Sequence, residues 1–139
     1  MKIEQLRFRN LNSLAGEWGI DFTDRELSDE GIFLITGPTG AGKTTILDAI
    51  TLALYGQTPR LSSISTGGNE IMSRQQVNCF SEVIFSAGGK RYRALWSQRR
   101  ARGKADGRLQ APYREFEDMT GAPGKPIDKI REVSRAVLE

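Results

Sequence analysis

The stretch GPTGAGKT places three glycines ahead of a lysine and a threonine within residues 37–44. Successive glycines let backbone N–H groups turn inward around a polyphosphate, where a Cβ would clash. A lysine adds a positive charge for the β- and γ-phosphates, and the next hydroxyl adds an oxygen ligand for Mg²⁺. The spacing G-x-x-x-x-G-K-T therefore predicts a phosphate-binding loop, the Walker A motif.

Each residue of this loop has an expected role in binding ATP and Mg²⁺. We expect Lys43 to meet the β- and γ-phosphates as the catalytic residue, Thr44 to ligate the metal, and Thr45 to contact the α-phosphate. The predicted binding residues of the loop are Gly37, Pro38, Thr39, Gly40, Ala41, Gly42, Lys43, Thr44 and Thr45. The alternative is a glycine-rich turn that caps a helix and binds nothing, but it gives the lysine–threonine pair no purpose.

The segments around the loop are those that such a loop requires. IFLIT, at residues 32–36, is a continuous β-branched and aromatic run that is typical of a strand buried on both faces. After the loop, TTILDAITLALYG has apolar residues at a helical period and stops at Gly56. The order strand, loop, helix therefore positions the glycines at a helix N-terminus, where unpaired N–H groups favour an anion.

The remaining pattern predicts mostly strands. KIEQLRFRN is the first, and GEWGIDF is the second, with Trp18, Ile20 and Phe22 on one face. CFSEVIFSAGGKRYRALWSQ is a hairpin around Gly88 and Gly89, GRLQAPYREFED is a further strand, and KPIDKIREVSRAVLE is an amphipathic helix. Two amphipathic strands before the phosphate loop indicate an antiparallel subdomain beside a parallel core. The predicted fold is thus an α/β P-loop NTPase of the ABC-type ATPase head, with a mixed sheet.

Composition restricts the class of protein. The chain of 139 residues is 38% hydrophobic and 27% charged, as expected of one globular domain without a membrane span or signal peptide. A single cysteine, Cys79, allows no internal disulfide and fits a reducing cytoplasm. With no histidine, a zinc site is not expected.

ATP hydrolysis needs more than this loop. It requires a Walker B carboxylate after an apolar strand, and no such pattern follows the loop, since SEVIF is followed by Ser86 and RALW by Ser97. We therefore expect the chain to be the N-terminal piece of a longer ATPase. The isolated piece is expected to be inactive in hydrolysis.

Three stretches make the chain resemble the SbcC family, the ATPase subunits of the bacterial SbcCD nuclease within the SMC-like repair ATPases. They are MKIEQLRFRNLNSLAGEWGIDF, GIFLITGPTGAGKTTILDAITLALYGQTPRL and YRALWSQRRARGKADGRLQAP. The resemblance implies that residues 1–139 are the N-terminal lobe of an SMC-type head, with Walker A at 37–44 and a basic hairpin region at 78–116. It implies that the coiled coil, signature motif, Walker B and glutamine loop lie beyond residue 139.

The resemblance also implies partners. Two copies of the head sandwich ATP, and a SbcD-like metal-dependent nuclease partner cleaves double-stranded DNA ends and hairpins. It further implies that Asn12 packs over the phosphates, where many relatives have a basic residue, and that Met72, Ser73 and Arg74 form the adenine-side loop. For Met72, a position in the core is the alternative. The implied location is the cytoplasm, in association with the nucleoid, and no membrane partner is expected.

Positive charge is concentrated in one part of the chain. Between residues 60 and 114 there are eleven basic and three acidic residues. The densest part, QRRARGKADGR at 98–108, is interpreted as a mobile tip between strands that holds duplex DNA without reading bases. The candidate DNA contacts are Arg99, Arg100, Arg102, Lys104 and Arg108. A solvated arm with no partner is the alternative.

Two further classes remain open at this point. A small-molecule kinase predicts an acceptor pocket and a lid of arginines, and the strands before the loop count against it. An ABC importer ATPase predicts an aromatic residue that stacks on adenine in the first turn, where NLNSLAG has none.

Overall fold

The computed structural model describes residues 2–23, 43–58 and 71–120. These residues form five strands and one α-helix. Their bounds are β1 Lys2–Leu11, β2 Leu14–Asp21, α1 Lys43–Tyr55, β3 Asn78–Ala87, β4 Lys90–Arg99 and β5 Tyr113–Asp118. A single 3-10 turn, Ala101–Gly103, follows β4.

The strands form one antiparallel sheet in the order β2-β1-β3-β4-β5. The predicted hairpin is confirmed, because β3 and β4 pair from Ala87↔Lys90 to Asn78↔Arg99. Gly88 and Gly89 both have positive φ, 58° and 77°. That backbone conformation matches the right-handed strand twist in a two-residue turn, and glycine adopts it without steric cost.

One face of the sheet packs on α1 and the other faces outward. Alternate residues of β3 and β4 are buried, as period-two strands require, and Trp96 and Phe8 are the largest fully buried side chains. Trp96 belongs to the hydrophobic core, and Tyr92 packs against it. Ser81 is also buried and donates a hydrogen bond of 2.5 Å to the Ala49 carbonyl of α1, which fixes the helix to the sheet.

The helix ends where the sequence predicts. It begins at Lys43 and ends at Tyr55, and Gly56 follows with φ 72° and donates its N–H to the Leu52 carbonyl at 2.8 Å. A left-handed glycine directly after the last helical residue closes the open carbonyls of the final turn. None of the helical residues described here forms a segment long and apolar enough to cross a bilayer.

Two predicted strands are corrected by the structure. Trp18 does not join a buried face: it is 49% exposed, because β2 is an edge strand and α1 packs mainly on β1, β3 and β4. The strand predicted from Gly107 begins only at Tyr113. The strand predicted at 32–36, the loop at 37–42 and the final helix at 125–139 lie outside the described residues.

Candidate nucleotide site and basic surface

The N-terminus of α1 is the part of the predicted nucleotide site that the structure describes. Lys43 is the first helical residue and is partly exposed, and Thr44 is exposed. The first turn of α1 contains no acidic side chain that would offset the positive end of the helix dipole. This arrangement suits a bound phosphate beside Lys43 and a Mg²⁺ ion on the Thr44 hydroxyl.

Asn12 connects the β1–β2 turn to this helix. Its backbone has φ 50°, a left-handed conformation that asparagine adopts more readily than most residues. The Asn12 side-chain amide donates to Thr45 Oγ1 and to Asp48 Oδ2, both at 3.1 Å. Thr45 and Asp48 are nearly fully buried, so these bonds are shielded from water. Asn12 is thus joined to the first two turns of the phosphate-loop helix.

The segment just before β3 docks on the same turn. The Asn12 N–H donates to the Ile71 carbonyl at 2.7 Å, and the Asn12 carbonyl accepts from Ser73 Oγ at 2.7 Å. The Ser73 N–H donates to the Asn10 carbonyl at 2.8 Å. The sequence-predicted residues Asn12, Thr45 and Ser73 therefore form one hydrogen-bonded group.

The two neighbours of Ser73 lie in different environments. Met72 is 8% exposed, pairs with Leu11 in an isolated bridge, and belongs to the hydrophobic core. Arg74 is exposed. The position of Met72 agrees with the core alternative, while an adenine-side role for residues 72–74 stays a prediction.

Sequence reasoning missed two residues that shape this site. Asp48 is the one acidic residue of α1 and is 2% exposed, and its carboxylate accepts a hydrogen bond from Asn12. Asn10, with φ 55°, donates to the Asn78 carbonyl at 2.9 Å and accepts from the Gly16 N–H at 2.7 Å. The sequence does contain a signal: two asparagines within NLNS are unusual at a strand end unless both turn the backbone.

The basic tip, residues 99–108, is a closed loop. Backbone hydrogen bonds join Ala101 to Arg108, Gly107 to Lys104, and Gln110 to Arg99, with distances of 2.8, 2.9 and 2.8 Å. A Cβ on Gly107 would collide with the Ala101 carbonyl. Glycine at position 107 therefore allows two backbone segments of the tip to meet.

The side chains of the tip remain available to a partner. Arg99, Arg102, Lys104 and Arg108 are exposed, and within the described residues none of them forms an ion pair. Arg100 is partly buried and donates to the Gly107 carbonyl at 3.2 Å. The tip therefore presents four exposed cations and one that also supports the loop.

The arginines of the strands are engaged by the protein itself. Arg93 lies 2.7 Å from Glu82 and 2.6 Å from Glu115. Burial would lower the pKa of Arg93, but the hydrogen bonds and charges of these two carboxylates raise it on balance. Arg91 pairs with Glu4 at 2.7 Å. These arginines belong to the sheet and not to the free basic surface.

Arg114 serves the helix C-terminus. It is 3% exposed and donates to the Leu54 carbonyl at 2.8 Å, and its side chain lies against Gly56. A cation at this end of α1 faces the negative end of the helix dipole. Burial lowers the pKa of Arg114 from its ordinary value, although an arginine still carries its charge at neutral pH.

Comparison with known proteins identifies relatives of the chain. The chain is 49% identical over 134 residues to the SbcC component of the SbcCD nuclease of Pseudomonas aeruginosa, and 42% identical over 132 residues to that of Rhodobacter capsulatus. These alignments cover 86% and 84% of the chain but 11% of each relative, so the chain spans about a tenth of the relatives' length. A DNA double-strand break repair Rad50 ATPase of Methanopyrus kandleri is 35% identical over 97% of the chain and 14% of its own length.

A comparison with solved structures and a comparison with family models both match this chain to ATPase domains. A structure from work on the ATP-driven dimerization and DNA-stimulated activation of SMC ATPases has a TM-score of 0.54 at 19% identity. It covers 99% of this chain and 78% of that one, which confirms the predicted SMC-type head fold. The AAA domain model matches residues 5–131. The resemblance to the SbcC family is confirmed, and the chain belongs to the AAA domain family.

Proposed function

We propose that this chain is the ATP-binding lobe of an SMC-like DNA-repair ATPase, the partner of a metal-dependent nuclease that cleaves double-stranded DNA ends and hairpins. The observation that carries the proposal is the joining of Asn12 to Thr45 and Asp48 at the start of α1. Similarity to the SbcC components of SbcCD nucleases supports the repair assignment.

The residues at the helix start have distinct roles in this proposal. Lys43 places a positive charge beside the β- and γ-phosphates, and the Thr44 hydroxyl ligates Mg²⁺. Mg²⁺, when bound, bridges phosphate oxygens and neutralises their charge. Asn12 holds Thr45 and keeps the β1–β2 turn against the helix, so that the turn lies over the nucleotide.

The test of the nucleotide site is binding of a fluorescent ATP analogue to the full-length protein. Lys43→Ala is expected to abolish detectable binding, because it removes the charge that meets the phosphates. Lys90→Ala, at the exposed first residue of β4, is the matched control and should bind normally. Equal affinity of the Lys43→Ala protein and the wild type would contradict the proposal.

Residues 1–139 alone are proposed to bind ATP·Mg weakly and to hydrolyse it negligibly. The reason is that the sequence after the loop offers no Walker B carboxylate to organise the attacking water. Turnover near that of an ordinary enzyme, about 1 per second or more, would contradict this. Sedimentation with a non-hydrolysable ATP analogue should likewise detect no stable dimer of the isolated lobe, since the partner copy's signature surface is missing.

The second part of the proposal concerns the tip. Its exposed cations, Arg99, Arg102, Lys104 and Arg108, are proposed to hold the phosphate backbone of duplex DNA with help from Arg100. Four or five such contacts give a slope of log affinity against log salt of about −4. Because nothing in the tip is positioned to read a base edge, binding should be independent of sequence.

A salt titration of duplex binding tests the tip in the full-length protein. The triple variant Arg99→Ala, Arg100→Ala, Arg102→Ala should flatten the slope by about 3 and weaken all random duplexes equally. A control with Lys2→Ala and Lys90→Ala removes exposed charge from the other end of the sheet and should keep the wild-type slope. An unchanged slope in the triple variant would establish the tip as a solvated loop.

A further inference from the structure

The outward face of the sheet carries one rung of side chains that the nucleotide site and the tip do not use. Strand register places five residues in line across all five strands. In order from β2 to β5 they are Glu17, Arg9, Phe80, Ser97 and Tyr113. The small Ser97 thus separates two aromatic residues on the same face.

The spacing of this rung creates a slot. Strands two apart in a sheet are about 9 to 10 Å from one another, so the backbones of Phe80 and Tyr113 are separated by about that distance. Tyr113 is 43% exposed, and Ser97 adds little bulk between them. An open groove of about 690 Å³ lies here, lined in part by Phe80, Ser97 and Tyr113. The Tyr113 hydroxyl donates to Glu115 Oε2 at 2.7 Å. The distance between the two backbones leaves room for a flat ring beside both aromatic side chains.

Charge around the slot is positive on two sides. Arg7 and Arg9 lie with their guanidinium groups 5.4 and 5.7 Å from the centre of the Phe80 ring. Both arginines extend from β1, the neighbour of β3 on the side away from Ser97. Glu17 pairs with both, at 3.4 and 2.8 Å, so it offsets one of their two charges. Arg99, exposed and without an ion pair among the described residues, lines the end of the groove nearest the tip.

The other end of the same face is acidic. Glu82, Glu115 and Glu117 surround Arg93 at 2.7, 2.6 and 3.6 Å, and the nearby Arg91 is paired with Glu4. A phosphate chain that left the slot in that direction would meet excess negative charge. Towards Arg99 and the tip it would meet cations. The face therefore suits a single DNA strand. One of its bases would occupy the slot, and its phosphate backbone would continue along the basic tip.

We propose that this groove binds an unpaired nucleotide of single-stranded DNA, with the base between Phe80 and Tyr113 over Ser97 and the adjacent phosphates at Arg9 and Arg99. The proposal extends the proposed DNA function of the tip: duplex lies on residues 99–108, and the first unpaired base beside it enters the slot. Stacking between aromatic faces tolerates any base, so the groove selects a single strand without selecting its sequence.

The test uses full-length protein and three DNA probes in fluorescence anisotropy: a blunt duplex, the same duplex with a short oligothymidine tail, and that duplex with an abasic tail. Wild type should bind the oligothymidine tail more tightly than the other two. Tyr113→Ala should remove that preference, a loss of about 5- to 150-fold for one stacked base. Ser97→Leu, which fills the slot, should do the same, whereas Tyr113→Phe should retain the preference.

Matched variants separate this groove from the rest of the protein. Trp18→Ala removes an aromatic of similar exposure from the opposite face of the sheet and should keep the wild-type preference. Because the readout is the ratio of tailed to blunt affinity, it is independent of the salt slope that reports on the tip. An abasic tail that binds as tightly as oligothymidine, or a tail preference that survives both Tyr113→Ala and Ser97→Leu, would overturn the proposal. Absence of any tail preference in the wild type would overturn it as well.

Discussion

The arginines of the strands and the arginines of the tip differ in what surrounds them. Arg93 lies among three carboxylates and Arg114 is buried against the end of α1. Arg102 and Arg108, by contrast, are exposed on a loop held together by backbone hydrogen bonds. Residues of one type, close in sequence, thus hold the fold together in one region and extend into solvent in the other.

A count of basic residues in the sequence therefore overstates the free positive surface of the protein. Eleven basic residues between residues 60 and 114 look like one positive surface in the sequence. In the structure, Arg91, Arg93 and Arg114 each have a partner within the protein. The remaining described cations of this segment are the main candidates for a salt-dependent interaction with DNA, and most of them belong to the tip.

The largest contrast between the two groups is expected at Arg114. Arg114→Ala removes a buried hydrogen bond to the Leu54 carbonyl and leaves a cavity beside Gly56. The expected loss in the free energy of unfolding is about 3 kcal/mol. Arg102→Ala, the exposed counterpart in the tip, should change it by less than about 0.5 kcal/mol.

Urea denaturation of both variants checks this contrast. Equal stability of the Arg114→Ala and Arg102→Ala proteins would contradict the division of the arginines into two groups. Arg114→Lys is a useful third variant, because it keeps the charge but lacks the planar donor group. It should fall between the wild type and Arg114→Ala.

A smaller effect is expected at Arg93. Arg93→Ala leaves Glu82, Glu115 and Glu117 close together and partly shielded from water, with no cation between them. The expected destabilisation is about 2 kcal/mol at neutral pH. The double variant Arg93→Ala, Glu82→Gln should recover part of this loss, because it removes one of the repelling charges. No recovery in thermal unfolding would show that the cost of Arg93→Ala does not come from the carboxylates.

Features of the fold that depend on local sequence could be predicted, whereas those that depend on pairing between distant strands could not. The helix limits and the Gly88–Gly89 hairpin follow from local chemistry, since a glycine with positive φ terminates or reverses the chain. The partners of Arg93 and the rung from Glu17 to Tyr113 depend on strand order and register. Those are set by long-range pairing, and a local pattern does not report them.

The nucleotide site shows the same division. Spacing alone predicts Lys43, Thr44 and Thr45 as site residues, and all three lie in the first turn of α1. Spacing does not identify Asp48, because a single carboxylate in a helix is ordinarily exposed. Asn12, from a turn more than thirty residues away, supplies one hydrogen-bond donor to this buried carboxylate.

The smallest expected effect concerns the pH dependence of stability. It tests whether the carboxylates around Arg93 contribute to stability as ion-pair partners. Burial alone would raise the pKa of Glu115, but hydrogen bonds from Tyr113 and Arg93 lower it below its ordinary value of 4.5. Because the pKa is lowered in the folded state, the ionised carboxylate stabilises the protein above about pH 4.5. That stabilisation is lost as the pH falls through the lowered folded-state pKa.

Glu115→Gln tests this sign directly, because the amide does not titrate. At neutral pH the variant should be less stable than the wild type by less than about 1 kcal/mol, since the carboxylate is only partly shielded from water. The two unfolding curves should run parallel above pH 4.5 and converge below it, as the wild type alone loses the contribution of Glu115. Tyr113→Phe removes one donor and keeps Arg93, so its curve should converge with the wild-type curve over a narrower pH range. If the difference between wild type and Glu115→Gln stayed constant down to the lowest pH measured, the ion pair at Arg93 would not be a pH-sensitive part of the sheet. Arg93 would then contribute as little to stability as an exposed arginine of the tip, although its distances to Glu82 and Glu115 are those of an ion pair.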